Sequence, residues 1–248
     1  MIIVQLSDLH VGSQFLSEKF ETLVEEINQL QPDVIIVTGD LTNEGLMKEY
    51  KKCKDLLTRF NAKKIISISG NHDYRNTGYL LFKKFFPFET VNELNENVVL
   101  VTIGTARPDR NEGEVGYRQN LWLERTMKKY EDKIKIVAMH HHLVAIPDTG
   151  SDQLTVVDAG DVLRTILDTG VDLVLCGHKH RPWAWNFGKL MVVNAGTATS
   201  ERVRGLFDNT YNIITILDNK VSVDLKIVGG KRTPIDDIVT NYSQFGDE

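Results

Sequence analysis

Lys64-Ile65-Ile66-Ser67-Ile68-Ser69-Gly70-Asn71-His72-Asp73 is the stretch that decides the fold. A short β-branched run ends at a glycine, and side chains able to bind metals or move protons follow at once. Runs of this length and composition read as buried strands, so Gly70 marks a strand's carboxyl end. The pattern recurs. Asp33 to Thr38 runs into Gly39-Asp40, Ile134 to Met139 into His140-His141-His142, and Val171 to Cys176 into Gly177-His178-Lys179-His180. The opening Met1-Ile2-Ile3-Val4-Gln5-Leu6 leads in the same way to Asp8 and His10.

Working outward, helical spacing fills the intervals. Phe20, Leu23, Val24, Ile27 and Leu30 predict a helix ending before Pro32, and Leu46, Tyr50, Cys53, Leu57 and Phe60 a second. Further helices are expected over Asp158–Thr169 and, less cleanly patterned, Tyr117–Tyr130. After Lys189 the helices stop. Lys189–Val193, Asn212–Leu217 and Val221–Ile227 read as strands, the last two joined by a hairpin turn at Asp218-Asn219-Lys220. This shift favours an α/β fold in which a second sheet closes against the first. The polar tail Lys231–Glu248 is either a docking segment or loose.

A chain of 248 residues, 42% hydrophobic and 25% charged, is read as one domain of an ordinary globular protein over 1–248. No apolar run approaches a membrane span. The N-terminus lacks a secretory pattern, so a cytoplasmic location and no membrane partner are expected. Cys53 and Cys176 are too few and too scattered for a disulfide framework or a thiolate metal site. A net charge of -5 argues against a broad electrostatic footprint for extended nucleic acid. It does not exclude a nuclease, because bound ions add positive charge that a residue count omits.

The seven histidines are informative through placement: His10, His72, His140, His141, His142, His178 and His180 each follow an apolar strand. Asp8, Asp40, Asn71 and Asp73 share those positions. Strand carboxyl ends in open α/β sheets converge on one crevice, so these groups are expected to meet in space. Imidazole and carboxylate donors without thiolates suit Zn, Mn or Fe. A carboxylate shared between two such ions can place them roughly 3.5–4 Å apart around a phosphate and a water. Gly39, Gly70 and Gly177 are expected to permit the sharp strand-to-loop turns.

In this order, Asp8-Leu9-His10, Gly39-Asp40, Gly70-Asn71-His72-Asp73, His140-His141-His142 and Gly177-His178-Lys179-His180 resemble the signature blocks of calcineurin-like metallophosphoesterases. Small phosphodiesterases of the cyclic-nucleotide type are the relatives most resembled, and Asn194-Ala195-Gly196-Thr197 is similar to the glycine-containing loop that follows those blocks. The resemblance implies a layered β-sandwich of two mixed sheets flanked by helices. It implies two transition-metal ions, with Asp8, His10 and His180 on the first, Asn71, His140 and His178 on the second, and Asp40 between them. His72 would contact the phosphate and protonate the leaving oxygen, with Asp73 orienting its ring, and hydroxide on the metals would be the nucleophile. Relatives carry a proline where this chain has His142, which leaves a one-residue slip from His140 to His141 open.

The resemblance implies hydrolysis of a small phosphoester, with a phosphodiester the favoured class and a cyclic nucleotide among the candidates; the sequence sets no oligomeric state. A recombination-repair nuclease, a phosphomonoesterase or nucleotide pyrophosphatase, and an inactive scaffold are the rival readings. Structural explanations are preferred elsewhere: packing for Trp183 and Trp185, a solvated pair for Arg202 and Arg204, a solvated loop for Asp109, Glu112 and Glu114, and a rim or supporting place for His141 and His142.

Overall fold

The computed structural model describes residues 1–87, 90–149, 156–205 and 207–242. Its first sheet is built around three parallel strands, β1 (Ile2–Leu6), β2 (Val34–Thr38) and β3 (Lys64–Ile68). Helices α1 (Ser17–Leu30) and α2 (Met47–Leu57) form the crossovers, and α3 (Gly78–Phe85) follows β3. The second sheet begins with the antiparallel pair β4 (Val91–Asn95) and β5 (Val98–Thr102). It continues after α4 (Tyr117–Met127) with β6 (Ile134–Ala138), and after α5 (Ala159–Asp168) with β7 (Leu173–Cys176). A hairpin of β8 (Trp183–Phe187) and β9 (Leu190–Asn194) completes it in the order β4-β5-β6-β7-β9-β8.

The chain then returns to the first sheet. β10 (Thr210–Leu217), β11 (Lys220–Ile227) and β12 (Arg232–Pro234) extend it antiparallel from β1, in the order β12-β11-β10-β1-β2-β3. Asp218 and Asn219 both have positive φ, the geometry a two-residue hairpin between right-twisted strands requires. Both sheets are therefore mixed, as expected.

Side-chain alternation explains the layering. In β2 every residue is buried, yet Ile35 and Val37 pack toward α1 and α2 while Val34 and Ile36 pack toward the other sheet. The interior shared by the two sheets joins Ile36, Ile66 and Ile214 with Leu100, Ile136, Leu173 and Leu175. Outside the first sheet, Phe20, Leu23 and Ile27 of α1 meet Tyr50 and Cys53 of α2. Outside the second, Leu123 and Met127 of α4 meet Val162 and Ile166 of α5. α1 ends where Gln31 takes φ 52° and returns its N–H to the Ile27 carbonyl, one residue before Pro32.

Differences from the sequence reading are local. The helix over Tyr117–Tyr130 stops at Met127, and α3, β4, β5 and β8 fall where no element was expected. Strands β4 and β8 are edges with an exposed face, so their apolar residues do not form the continuous run of a central strand. The tail docks: β12 pairs with β11, and α6 (Ile235–Tyr242) sets the buried Ile235 into the inter-sheet core. Residues 243–248 of that tail lie outside the described residues. Among the described residues, no helix is long and apolar enough to cross a membrane.

Leu175 is fully buried between the sheets. Leu175→Ala is expected to lower unfolding free energy by about 2–5 kcal/mol, read from urea denaturation with an unchanged slope.

Candidate metal centre

Five strand ends deliver the polar residues to one place, on the seam where the two sheets meet. Asp8 and His10 follow β1, Asp40 follows β2, Asn71 follows β3, His140 follows β6, and His178 and His180 follow β7. The backbone there is unusual. Asp8, His10, Asp40, His178 and His180 all have φ between 48° and 78°, the left-handed region that L-residues with a Cβ seldom adopt. Such conformations each cost of order 1–3 kcal/mol and persist only where the surroundings over-determine them.

The seven residues form two groups joined by one carboxylate. In the first, His10 Nε2 lies 2.9 Å from His180 Nε2, and Asp8 Oδ1 lies 3.2 Å from His180 Nε2 and 3.8 Å from His10 Nε2. In the second, Asn71 Oδ1 is 3.1 Å from His140 Nε2 and 2.9 Å from His178 Nδ1. Asp40 Oδ2 stands between, 3.8 Å from His10 Nε2 and 3.4 Å from His140 Nε2. Asp40 Oδ1 is used separately, accepting the His72 backbone N–H at 2.8 Å.

The surrounding hydrogen bonds fix which atoms face inward. His140 Nδ1–H donates to the Thr38 carbonyl and His180 Nδ1–H to the Arg202 carbonyl, so each ring turns Nε2 inward, where a cation would take the place of its proton. Ser7 Oγ–H donates to Asp8 Oδ2. Thr197 Oγ1–H, from the loop after β9, donates to the Asp8 carbonyl at 2.6 Å. The Asn71 amide group reaches Asn111 Oδ1, which turns its own oxygen toward the two rings. Asp8 Oδ1 is buried with no hydrogen-bond partner. Converging lone pairs that no protein donor satisfies are what divalent cations stabilise, and this donor set of oxygens and imidazole nitrogens fits two of them.

The electrostatics reflect the crowding. Burial acts to raise the Asp8 carboxyl, but the His180, His10 and His140 rings pull it well below the ordinary range. Asp40 is lowered too, burial being outweighed by His140, His72 and His10. Burial acts to lower His140, yet the Asp40 and Asp8 charges raise it to about 9. His178, with the His141 and His140 rings beside it, is driven well below its usual value by burial first and by those rings next.

His141 differs from His140. Its Nε2–H donates to the Asn111 carbonyl, and its Nδ1 accepts from Thr105 Oγ1 at 2.7 Å. Both nitrogens are engaged, one by Thr105 and one by the loop that carries Asn111, although the ring lies near His140 and His178. His142 stacks on His178 with ring centroids 5.7 Å apart.

One expectation for the third block needs correction. Asp73 does not orient the His72 ring: its carboxylate accepts the backbone N–H groups of Leu41, Thr42 and Gly70 and the Thr42 hydroxyl. The tight turn carries the Asp73 side chain back under the β2 loop, and burial with the Asp40 charge pushes its carboxyl up to about 7. The ring of His72 is instead held by Nδ1–H donation to the Asn43 carbonyl at 2.7 Å, while Nε2 accepts from the Arg75 guanidinium at 3.0 Å. Burial brings the His72 ring down to about 4 against the pull of Asp40.

The glycines also act differently from expectation. Gly39 has φ 95°, but Gly70 and Gly177 do not need positive φ. They are required for space: a Cβ on Gly70 would lie 2.1 Å from Asp40 Oδ1, and one on Gly177 would lie 1.9 Å from Ser7 Oγ.

Residues 1–182 match the family model for calcineurin-like phosphoesterases. The chain belongs to that family. Among similar proteins is a probable glycerophosphodiester phosphodiesterase from Arcobacter nitrofigilis, 28% identical over 81% of this chain and 80% of the relative. A probable cyclic nucleotide phosphodiesterase from Vesicomyosocius okutanii is 25% identical over 88% of this chain and 94% of its own. In fold, a dimetal phosphatase from Danio rerio superposes with a TM-score of 0.72 at 8% identity, covering 95% of this chain and 98% of that one.

Over the centre of this phosphoesterase opens a cleft lined by Asp40, Asn71, His72 and His178, with Arg75, Arg202 and Arg204 at its rim and Lys179 buried beneath. Arg202, exposed, and Arg204, half-buried, thus line the cleft. Arg75 and Asn43 were not anticipated, although Arg75 stands three residues after His72 in a single tight turn, a spacing that could have pointed to it. Trp183 and Trp185 pack against each other, with Trp185 Nε1–H donating to the Ala145 carbonyl. In the acidic loop, Asp109 caps the Asn76 N–H and Glu114 pairs with Arg107, so that segment is pinned rather than merely solvated.

Because four donors converge on Asp73, Asp73→Ala is expected to destabilise the fold by about 3 kcal/mol or more through unsatisfied amides. Thermal and urea unfolding measure it.

Proposed function

We propose that this phosphoesterase hydrolyses small phosphodiesters at two transition-metal ions. Asp8, His10 and His180 hold one, Asn71, His140 and His178 hold the other, and Asp40 is shared. The observation that carries this reading is Asp40 Oδ2 standing between two inward-facing groups of nitrogen and oxygen atoms, within 4 Å of a ring in each. His140 is favoured over His141 because its Nε2 faces Asn71 and Asp40 while both His141 nitrogens are engaged elsewhere. The phosphodiester preference is supported by the names of the relatives from Arcobacter nitrofigilis and Vesicomyosocius okutanii. Oxygen and imidazole donors without thiolate leave Mn, Fe and Zn as the candidate metals.

When bound, the ions neutralise phosphate charge and lower the pKa of a coordinated water. The chain's own contributions are positional. Arg202 and Thr38 carbonyls hold His180 and His140 in the tautomer that offers Nε2 inward. His72 presents Nε2 to the cleft from a ring locked on Asn43, where it meets an oxygen of the bound phosphate. An anionic phosphate oxygen beside Nε2 favours the imidazolium, which can then pass its proton to the departing oxygen. Arg75, now on Nε2 and on Glu44, must yield that nitrogen and is placed to bond the phosphate itself.

The two kinds of residue separate experimentally. Asp40→Ala is expected to abolish two-metal occupancy measured by elemental analysis. His72→Ala is expected to retain both ions and to lower kcat on a phosphodiester by about 10²–10⁴-fold. Equal metal loss in the two variants would contradict the role given to His72. Failure of the metal-loaded protein on every member of a phosphodiester and phosphomonoester panel would remove the proposal.

A further inference from the structure

The rim of the cleft carries more positive charge than one phosphodiester can use. Arg75, Arg202 and Arg204 line it, with Lys179 buried beneath, and Asp40 is the one carboxylate among the described lining residues. A phosphodiester bears a single negative charge, and two divalent ions against the carboxylates of Asp8 and Asp40 would leave the centre itself net positive. Arg75 is already matched by Glu44 at 2.8 Å. Arg202 and Arg204 are not matched. Among the described residues the exposed Arg202 guanidinium has no hydrogen-bond or ion-pair partner, and half-buried Arg204 donates only to the Thr149 carbonyl, a neutral acceptor.

Their position is fixed to the centre. The Arg202 carbonyl accepts the Nδ1–H of His180, so the segment carrying both arginines is tied to a ring of the first group. Ser200 Oγ accepts the Arg202 N–H, and Asn209 donates across to the Ser200 carbonyl, closing the segment's base. Two arginines on one tethered backbone segment lining the cleft over the centre suit a second anionic group on the substrate and not a neutral arm.

We infer that Arg202 and Arg204 form a second anion subsite on the His180 side of the cleft, and that the preferred substrate is a phosphodiester carrying a further phosphate on one arm. This rests on the phosphodiesterase reading for turnover but not for binding, and the test uses that difference. The metal-loaded enzyme and its R202A/R204A variant are assayed on thymidine 5′-(4-nitrophenyl phosphate) and on the same ester bearing a 3′-phosphate, following nitrophenolate release. In parallel, calorimetry compares thymidine 3′,5′-bisphosphate with thymidine 5′-monophosphate as ligands of both proteins.

The unmodified enzyme is expected to favour the doubly charged ester by about tenfold or more in kcat/KM, mainly through KM, and to bind the bisphosphate tighter by a similar factor. In the variant both ratios should fall to about one. Equal affinity of the unmodified enzyme for the two nucleotides overturns the subsite, as does a preference that survives in the variant. Tighter bisphosphate binding with no turnover of either ester supports the subsite and defeats the phosphodiesterase reading. Turnover of both esters with no preference does the reverse.

Discussion

The structure depends most on where the Asp40 carboxylate is held. One oxygen is taken by the His72 backbone N–H, and the other is left between His10 and His140. That division is possible only because β2 and β3 end side by side and because Gly70 has no Cβ to strike Asp40. The neighbouring Gly39 lets the His140 ring lie against the backbone, where a Cβ would approach Nδ1 to 2.3 Å. Bulk added at either glycine would therefore be felt first at the carboxylate and imidazole, before the sheet itself.

Much of the layered fold could be read from β-branched runs followed by glycine. The short apolar runs of β2, β3, β6 and β7 and the period-3.6 signals of α1 and α2 are strong, because each of these elements buries a wide apolar surface. The signal is weak where burial is one-sided, although β5, unexpected too, is buried throughout and carries the same kind of run as β2. β4 has only Asn92 buried, and β8 loses its apolar character at Asn186, so neither shows a run long enough to recognise. α3 was hidden because Gly78, a poor helix former, opens it in the space beside Gly45 and Asp73, where any side chain would collide.

For the centre, the residues were legible because each ligand type follows a strand, and topology gathers strand ends without detailed knowledge of loops. What a short Asp or His does next depends on backbone direction, and there the sequence was silent. Asp73 illustrates the limit. Its neighbour His72 faces the cleft while Asp73 faces the amides of the β2 loop, a divergence set by one turn of tight helix and not by composition. The left-handed conformations at Asp8, His10, Asp40, His178 and His180 were likewise invisible, since nothing in those residue types demands them. Their clustering marks the site only once the chain is folded.

The centre draws on both sheets: Asp8, His10, Asp40 and Asn71 come from one, His140, His178 and His180 from the other. His10 and His180 touch across 170 residues of chain. In polymer terms, an ion gripped from both sides would be a crosslink closing a very long loop, and the entropy denied to the unfolded chain grows with the logarithm of loop length. The seam between the sheets would then be fastened at its open end by the same atoms that meet the phosphate, so that loosening the sandwich and dismantling the reaction site become a single event.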